Sequence, residues 1–299
     1  MQNLFFHTAA FLILLLAFPA NAEDGFRFTL QKASEKKFSR PHDLVLSPDG
    51  RFLVVADNGN DVVRVLDPES LKVVGEIGRE DLAAPHDVAF DTEGRLLVAD
   101  TGNDRIAVYD FIASGRKSLV RGELLFFWET DMGSPEGVAA APDGRVYVAN
   151  AGLHTILALE NGRVVAKAGT YGSETGGLKR PHDIHVDGKR RVIVTDPGNN
   201  RIQVLDRNLR FLKSWQGPPY NFNEPKYVTH DRDGRVYIAD EYNNRIVVLD
   251  TSDRPVAEFG GKNGALKGLL NQPEGIVVKD RRLWVADTYN DRILYLKRD

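Results

Sequence analysis

Six short runs of the chain open on a proline followed by a side chain that can ligate or carry charge: Pro41-His42, Pro85-His86, Pro135-Glu136, Pro181-His182, Pro225-Lys226 and Pro273-Glu274. Three of the seven histidines fall in this one slot, each within Pro-His-Asp, ahead of Asp43, Asp87 and Asp183. Three imidazoles and two carboxylates brought to one place form a donor set for a divalent metal, zinc before others, because zinc takes nitrogen and carboxylate oxygen ligands. His42, His86 and His182 are therefore the candidate metal ligands, and the aspartates behind them can orient the rings or add oxygen ligands. Glu136 and Glu274 are the candidate catalytic carboxylates, placed to shuttle a proton beside a metal-polarised substrate or water. The competing reading makes the six side chains ordinary polar channel lining bridged by water. The chain contains no cysteine, which excludes thiolate ligands, thiol nucleophiles and any disulfide framework.

What must position these side chains is a repeat. The opening prolines are spaced 44, 50, 46, 44 and 48 residues apart. Each precedes a short apolar, mostly β-branched run, such as Asp43-Leu44-Val45-Leu46 or Gly275-Ile276-Val277-Val278. A turn signal follows, as in Pro48-Asp49-Gly50 or Asp233-Gly234, and then a second run ending in Ala-Asp at Asp57, Asp100, Asp240 and Asp287. The third and fourth units vary this as Ala149-Asn150 and Thr195-Asp196. An Asn/Asp-rich turn leads to a third strand, and candidate fourth strands follow at 72–77, 124–128, 163–166, 211–215 and 255–259. The sixth unit has no fourth strand before the chain ends, while an orphan strand, Phe26-Arg27-Phe28-Thr29-Leu30, precedes the first unit. Letting the orphan complete the last unit closes the ring and removes exposed sheet edges. The expected fold class is all-β: a six-bladed β-propeller with four antiparallel strands per blade and the N-terminal strand closing the last one. In such a ring the innermost strands start at one mouth of a central channel, so the six side chains after the prolines point to a common axis. An open β-solenoid is the alternative architecture, and the transposed strand argues against it.

The unit Pro-x-x-(β run)-Asp-Gly-(β run)-Ala-Asp-x-x-Asn-x-Arg-Ile resembles the NHL repeat, over essentially all of residues 25–299. More distantly, the channel histidines resemble those of the peptidyl-hydroxyglycine amidating lyases, six-bladed propellers whose zinc is held by three histidines from alternating blades, with a structural calcium nearby. That resemblance implies zinc, and calcium, as cofactors, and makes His86, His182 and Glu274 the matching positions, with His42 on a non-matching blade. The family's tyrosine in the third-blade turn has no counterpart in Asn150-Ala151-Gly152-Leu153-His154, and Tyr242 and Tyr289 are out of register with it. The family's disulfides cannot form. The resemblance thus implies a channel metal more than the lyase reaction.

Periodic residues are assigned to scaffolding. The Asp of each Ala-Asp pair is followed five residues later by Arg105, Arg201, Arg245 and Arg292, a spacing that lets the carboxylate accept turn N–H groups and pair with the guanidinium. His185 and His230 are expected to be packed and hydrogen-bonded, and His154 to sit in an outer turn without a role.

Lys and Arg number 39 against 42 Asp and Glu, a net charge of −3, which excludes a strongly basic nucleic-acid binder. Residues 4–18 are almost wholly apolar, Pro19 breaks the run, and Ala20-Asn21-Ala22 supplies a small-x-small cleavage pattern. Residues 1–22 are read as a signal peptide, and 23–299 as one propeller domain, secreted or periplasmic. About fifteen apolar residues fall short of the roughly 20 that a retained membrane span needs. Two functions are expected from this sequence. One is an exported binding module for a protein, peptide or small-molecule ligand, using loops that carry Tyr171, Tyr220 and Phe222, with Trp215 beside them expected to be packed. The other is a metal-dependent lyase or lactone hydrolase acting in the channel. No nucleic acid, no membrane after cleavage and a monomeric state are expected.

Overall fold

The computed structural model describes residues 26–113, 120–262 and 266–298. The expected signal peptide at 1–22 lies outside the described residues.

The structure is all-β. Each unit is an antiparallel meander in which consecutive strands pair. The first is Pro41–Leu46, Leu53–Asp57, Val62–Leu66 and Val73–Ile77, and the fifth is Pro225–His230, Val236–Asp240, Arg245–Leu249 and Pro255–Gly260. Units three, four and five are separate four-stranded sheets. Units one and two are joined into one eight-stranded sheet by a single parallel bridge, Gly75 to Val120. That bridge requires glycine, since a Cβ on Gly75 would lie 2.4 Å from the Val120 carbonyl oxygen. It forms because strands Arg105–Ala113 and Val120–Trp128 run on past the unit's usual length. The described part of 111–123 is thus an extension of paired strands, pinned by Phe111 against Phe52 and Phe90.

The second strand of each unit reads as a continuous apolar run because it is buried on both faces: every residue of Leu53–Asp57, Leu96–Asp100, Val146–Asn150, Val192–Asp196 and Val236–Asp240 is buried. Burial of each Val, Leu or Ile there contributes about 1.5–3 kcal/mol. The apolar clusters each take residues from two consecutive units. Leu97 and Val108 pack with Val138 and Val148, and Ile193 and Val204 pack with Ile238 and Val247. The last unit packs on the first through Trp284, Ala286 and Ile293 against Leu44, Leu53 and Val55.

Polar bonds join the same two ends of the chain. Trp284 Nε1 donates to Pro68 O at 2.7 Å, Thr288 Oγ1 to Pro41 O at 2.8 Å and Gly275 N to His42 O at 2.7 Å. The N-terminal strand does complete the last sheet, pairing antiparallel with Arg292–Arg298. It spans Phe28–Ala33 rather than 26–30, because Phe26 is drawn into the core beneath Arg235 and Arg298 instead of joining the ladder.

The Asp-Arg frame forms as its spacing predicts. Asp100, Asp196, Asp240 and Asp287 each accept a backbone N–H at one oxygen, from Ala83, Lys179, Asn223 and Asn271. The other oxygen takes the Nε of Arg105, Arg201, Arg245 and Arg292 at 2.7–2.8 Å. The residue before each opening proline has positive φ, between 45° and 55°, and its N–H is caught by the side chain ending the turn of the preceding unit. Asp61 holds Ala84 N, Asn200 holds Glu224 N, and Asp291 closes the circle on Arg40 N. His154 fills this post in the third unit, its Nδ1 accepting from Arg180 N at 3.1 Å.

Candidate functional site

Each opening proline starts the inner strand or the approach to it, and the next residue faces the space the units enclose. His42, His86 and His182 converge there, with one ligating atom of each within 4.8 Å of the others. Their ring centroids lie 4.4 Å (His42–His86), 5.9 Å (His86–His182) and 6.4 Å (His42–His182) apart. Glu274 joins them, its Oε2 2.8 Å from His42 Nδ1 and 3.9 Å from His182 Nε2. Glu136 Oε2 lies 3.8 Å from His182 Nε2, and its Oε1 accepts from Arg180 at 2.7 Å. Lys226 stands between Glu241 and Glu224, at 3.7 and 3.9 Å. His42 thus clusters with the two histidines in matching positions, alongside Glu274.

Glycine permits this convergence at two places. A Cβ on Gly137 would lie 2.6 Å from His182 O, and one on Gly275 2.5 Å from His42 O. Beneath the ring, Tyr227 reaches across the enclosed space to donate to His86 O at 2.9 Å, its ring 5.0 Å from that of His182. The aspartates expected behind the histidines turn toward the next inner strand. Asp43 accepts from Val88 N, Asp87 from Val138 N and Asp183 from Val228 N. These buried carboxyls also interact with one another. Burial first, with Asp183 adding to it, pushes Asp43 up to about 7, and burial with neighbouring carboxylates pushes Asp87 and Asp183 well above the usual range.

Burial, then the neighbouring His42, lowers His86 to about 3, and burial with Lys226 and the other imidazoles takes His182 well below the ordinary value. Both rings are therefore neutral, the state in which imidazole ligates. The Ala84 carbonyl lies 3.0 Å and Asn58 Nδ2 3.3 Å from His86 Nδ1, so both contacts fall on that nitrogen and Nε2 is left as the ligand atom. Burial raises Glu136 despite Arg180 and Lys226. In Glu274 burial acts upward too, but His42, Lys226 and His86 outweigh it and hold the carboxyl below its ordinary value. Burial opposes the charge on Lys226, yet four surrounding carboxylates, Glu274 foremost, keep it protonated.

His182 Nδ1 is buried without a hydrogen-bond partner, and the buried His42 Nδ1 and Glu274 Oε2, 2.8 Å apart, have only each other. Unsatisfied buried polar atoms are costly, and here they share one small volume with other nitrogen and oxygen donors. The donor set fits zinc. Tetrahedral zinc places its ligand nitrogens about 3.3 Å apart, within reach of these rings by small side-chain rotations. Calcium, which takes six or more oxygens, fits it poorly.

Sequence reasoning missed several members of this mouth. Arg180, His154 and Glu224 line, with the expected Glu136, Lys226 and Tyr171, a cavity of about 300 Å³ beside the ring. Tyr227 occupies the column that reads Asp43, Asp87, Gly137, Asp183, Tyr227, Gly275, so aligning one more column would have shown it. Tyr171 is exposed and Trp215 packed, as expected, while Tyr220 and Phe222, expected as loop contacts, also pack into the core between units four and five.

Repeated meanders packed in series around an enclosed polar ring define a β-propeller. The NHL repeat family model matches residues 82–109 and 270–294. These two stretches of the chain match the NHL repeat. NHL repeat-containing protein 3 of Mus musculus is 30% identical over 181 residues, 56% of this chain and 50% of that protein, so the chain spans about half the length of the curated relative it matches. Among solved structures, a streptogramin B lyase superposes with a TM-score of 0.63 at 15% identity, over 93% of this chain and all of that one. A gluconolactonase of Xanthomonas campestris superposes at 0.68 and 15%, over 94% and 92%. At such identity these likenesses establish the fold alone.

Proposed function

We propose that the chain is an exported six-bladed propeller that binds a small-molecule, peptide or protein ligand at the channel mouth, and that His42, His86 and His182, with Glu274 beside them, hold a divalent metal there. The observation that carries this reading is the convergence of three imidazoles beside Glu274, with His182 Nδ1 buried and without a partner. The six-blade count treats units one and two as separate blades joined only at Gly75–Val120, and is supported by apolar clusters that link each unit to the next and the last to the first. Zinc is the proposed cofactor, and calcium is the weaker choice because nitrogen dominates the donor set. Export rests on the signal sequence at 1–22, and the near-neutral charge speaks against a nucleic-acid partner. The protein acts as a monomer in this reading.

Elemental analysis of the mature protein tests it. About one zinc per chain is expected, lost in His86→Ala/His182→Ala, and wild-type protein that binds no divalent metal overturns the assignment. Export is tested by N-terminal sequencing of the mature protein, which should begin at Glu23.

A second reading, a metal-dependent lyase or lactone hydrolase, is favoured by Glu136. This carboxyl is buried, raised by that burial, and 3.8 Å from His182 Nε2. A metal bound at the ring would polarise a substrate oxygen or acidify a water. Glu136 would then exchange a proton at Oε2 while Arg180 holds Oε1, Glu274 would serve as the second carboxylate, and the Lys226 ammonium would offset negative charge on the substrate. Glu136→Gln is expected to retain the metal and lose turnover of a lactone substrate, about 100-fold or more. Unchanged turnover removes Glu136 from the chemistry.

A further inference from the structure

The turns on the mouth face break the repeat in a way that scaffolding does not require. Their middle residue is Gly59, Gly102, Gly152 and Gly198 in the first four units, and Tyr242 and Tyr289 in the last two. Glycine suits the slot, because a Cβ on any of the four would come within 2.8 Å of a carbonyl oxygen in the connection before the proline. The backbone bond made there is 2.8–2.9 Å at Gly59, Gly102 and Gly152, but 3.2 Å at Tyr242 and 3.3 Å at Tyr289. Tyrosine in this slot thus brings no tighter turn bond. The two tyrosines gain little burial, with 48% and 51% of each left exposed.

Both face useful neighbours. Tyr242 lies within electrostatic reach of Glu224, Glu241 and Tyr289, and Glu224 with Lys226 forms one wall of the 300 Å³ cavity. Across that cavity stands Tyr171, 69% exposed, with its ring 4.9 Å from that of His154. Lys179 also lines the cavity, and among the described residues it pairs with no carboxylate. Lys226 has none closer than 3.7 Å. The mouth thus offers exposed aromatic faces around a cavity whose walls are mostly charged and include one ammonium, that of Lys179, without a carboxylate of its own, whereas Lys226 is balanced by Glu274, Glu241, Glu136 and Glu224. A peptide docking there would need apolar side-chain pockets or a free strand edge. A sugar ring needs neither. It lays a face of C–H bonds on an aromatic ring and turns its hydroxyls to charged side chains, and a uronic acid adds a carboxylate for lysine.

We propose that the mouth face binds an acidic oligosaccharide of uronic-acid residues, with ring faces on Tyr171, Tyr242 and Tyr289 and a carboxylate in the cavity on Lys179. This deepens the reading of that face as the ligand side and rests on it, but it does not need the channel metal. The test is calorimetric titration of the mature protein with tetragalacturonate, with maltotetraose as the neutral comparison and metal content measured on the same sample. Tyr242→Gly/Tyr289→Gly restores the residue that the other four units carry, so the fold is retained. The double variant is expected to weaken tetragalacturonate binding about tenfold or more, the size of two lost aromatic contacts, with its metal content unchanged. Lys179→Met should weaken it by about as much and flatten its salt dependence. Equal affinity for maltotetraose, full affinity in the tyrosine double variant, or no binding of tetragalacturonate by folded protein would each overturn the proposal. Binding of tetra-alanine instead would overturn the sugar and leave the ligand face standing. A sample without metal that still binds tetragalacturonate would support the sugar proposal while the metal reading fails.

Discussion

Two groups of histidines lie on the inner strands, and they behave in opposite ways. His185, three residues beyond His182, meets His230 with Nε2 and Nδ1 2.6 Å apart. The pair satisfies itself, and the nearby carboxylates Asp187 and Asp231 are committed to Arg191 and Arg235. At the mouth, His182 keeps a buried nitrogen without a partner, His42 has only Glu274, and Glu136 turns into the same space. Burial depresses imidazole protonation in both groups, lowering His185 and His86 alike to about 3. A shifted titration therefore does not by itself mark a site. What marks it is convergence of donors that the protein leaves unsatisfied.

That contrast can be broken in three ways. The largest effect is expected in the frame that carries both groups. Asp240→Ala strips the acceptor from Asn223 N, Asn243 Nδ2 and Arg245 Nε. It should cost about 3–5 kcal/mol of stability in denaturant unfolding, while the folded fraction keeps its zinc; loss of metal from protein that is still folded would make the site a property of the whole ring. Next in size, His182→Ala should lower zinc affinity about 100-fold, the order expected for a lost ligand, whereas His185→Gln should leave it unchanged. Equal losses in chelator competition would erase the distinction between the groups.

The smallest effect concerns pH. Free histidine titrates near 6.5, and His185 in the fold near 3. Above pH 6.5 neither state binds the proton. Between 6.5 and 3 only the unfolded chain does, so this group's contribution falls as pH falls through that window and levels off below it. Relative to His185→Gln, the wild type should lose about 1.4 kcal/mol more per pH unit in that window. Parallel stability curves for the two proteins would show that His185 keeps an ordinary pKa.

Much of the fold was legible because a repeat states its own alignment. The column His42, His86, Glu136, His182, Lys226, Glu274 could be read from the prolines alone, and so could the Asp-Arg frame, whose partners sit five residues apart on one turn. His154 shows where that reading stops. It was assigned no role, yet it holds Arg180 N where other units use Asp or Asn, and it lines the cavity. A single unit cannot reveal this, because the group it serves belongs to the next one. The aspartates of Pro-His-Asp went astray for the same reason: their partners, Val88, Val138 and Val228, lie 45 to 51 residues away.

The sequence by itself determined the strands, their turns, the transposed strand at the N-terminus and which side chains share the enclosed space, since all of these follow from local periodicity and repeat spacing. Only the tertiary structure decided that His42 stands with His86 and His182, that Arg180 occupies one oxygen of Glu136, and that Tyr227 crosses beneath them to His86 O, 141 residues away in sequence. The physical reason is closure. Distances across the enclosed space depend on how every unit packs on the next, and side-chain rotamers there answer to neighbours that no single repeat contains.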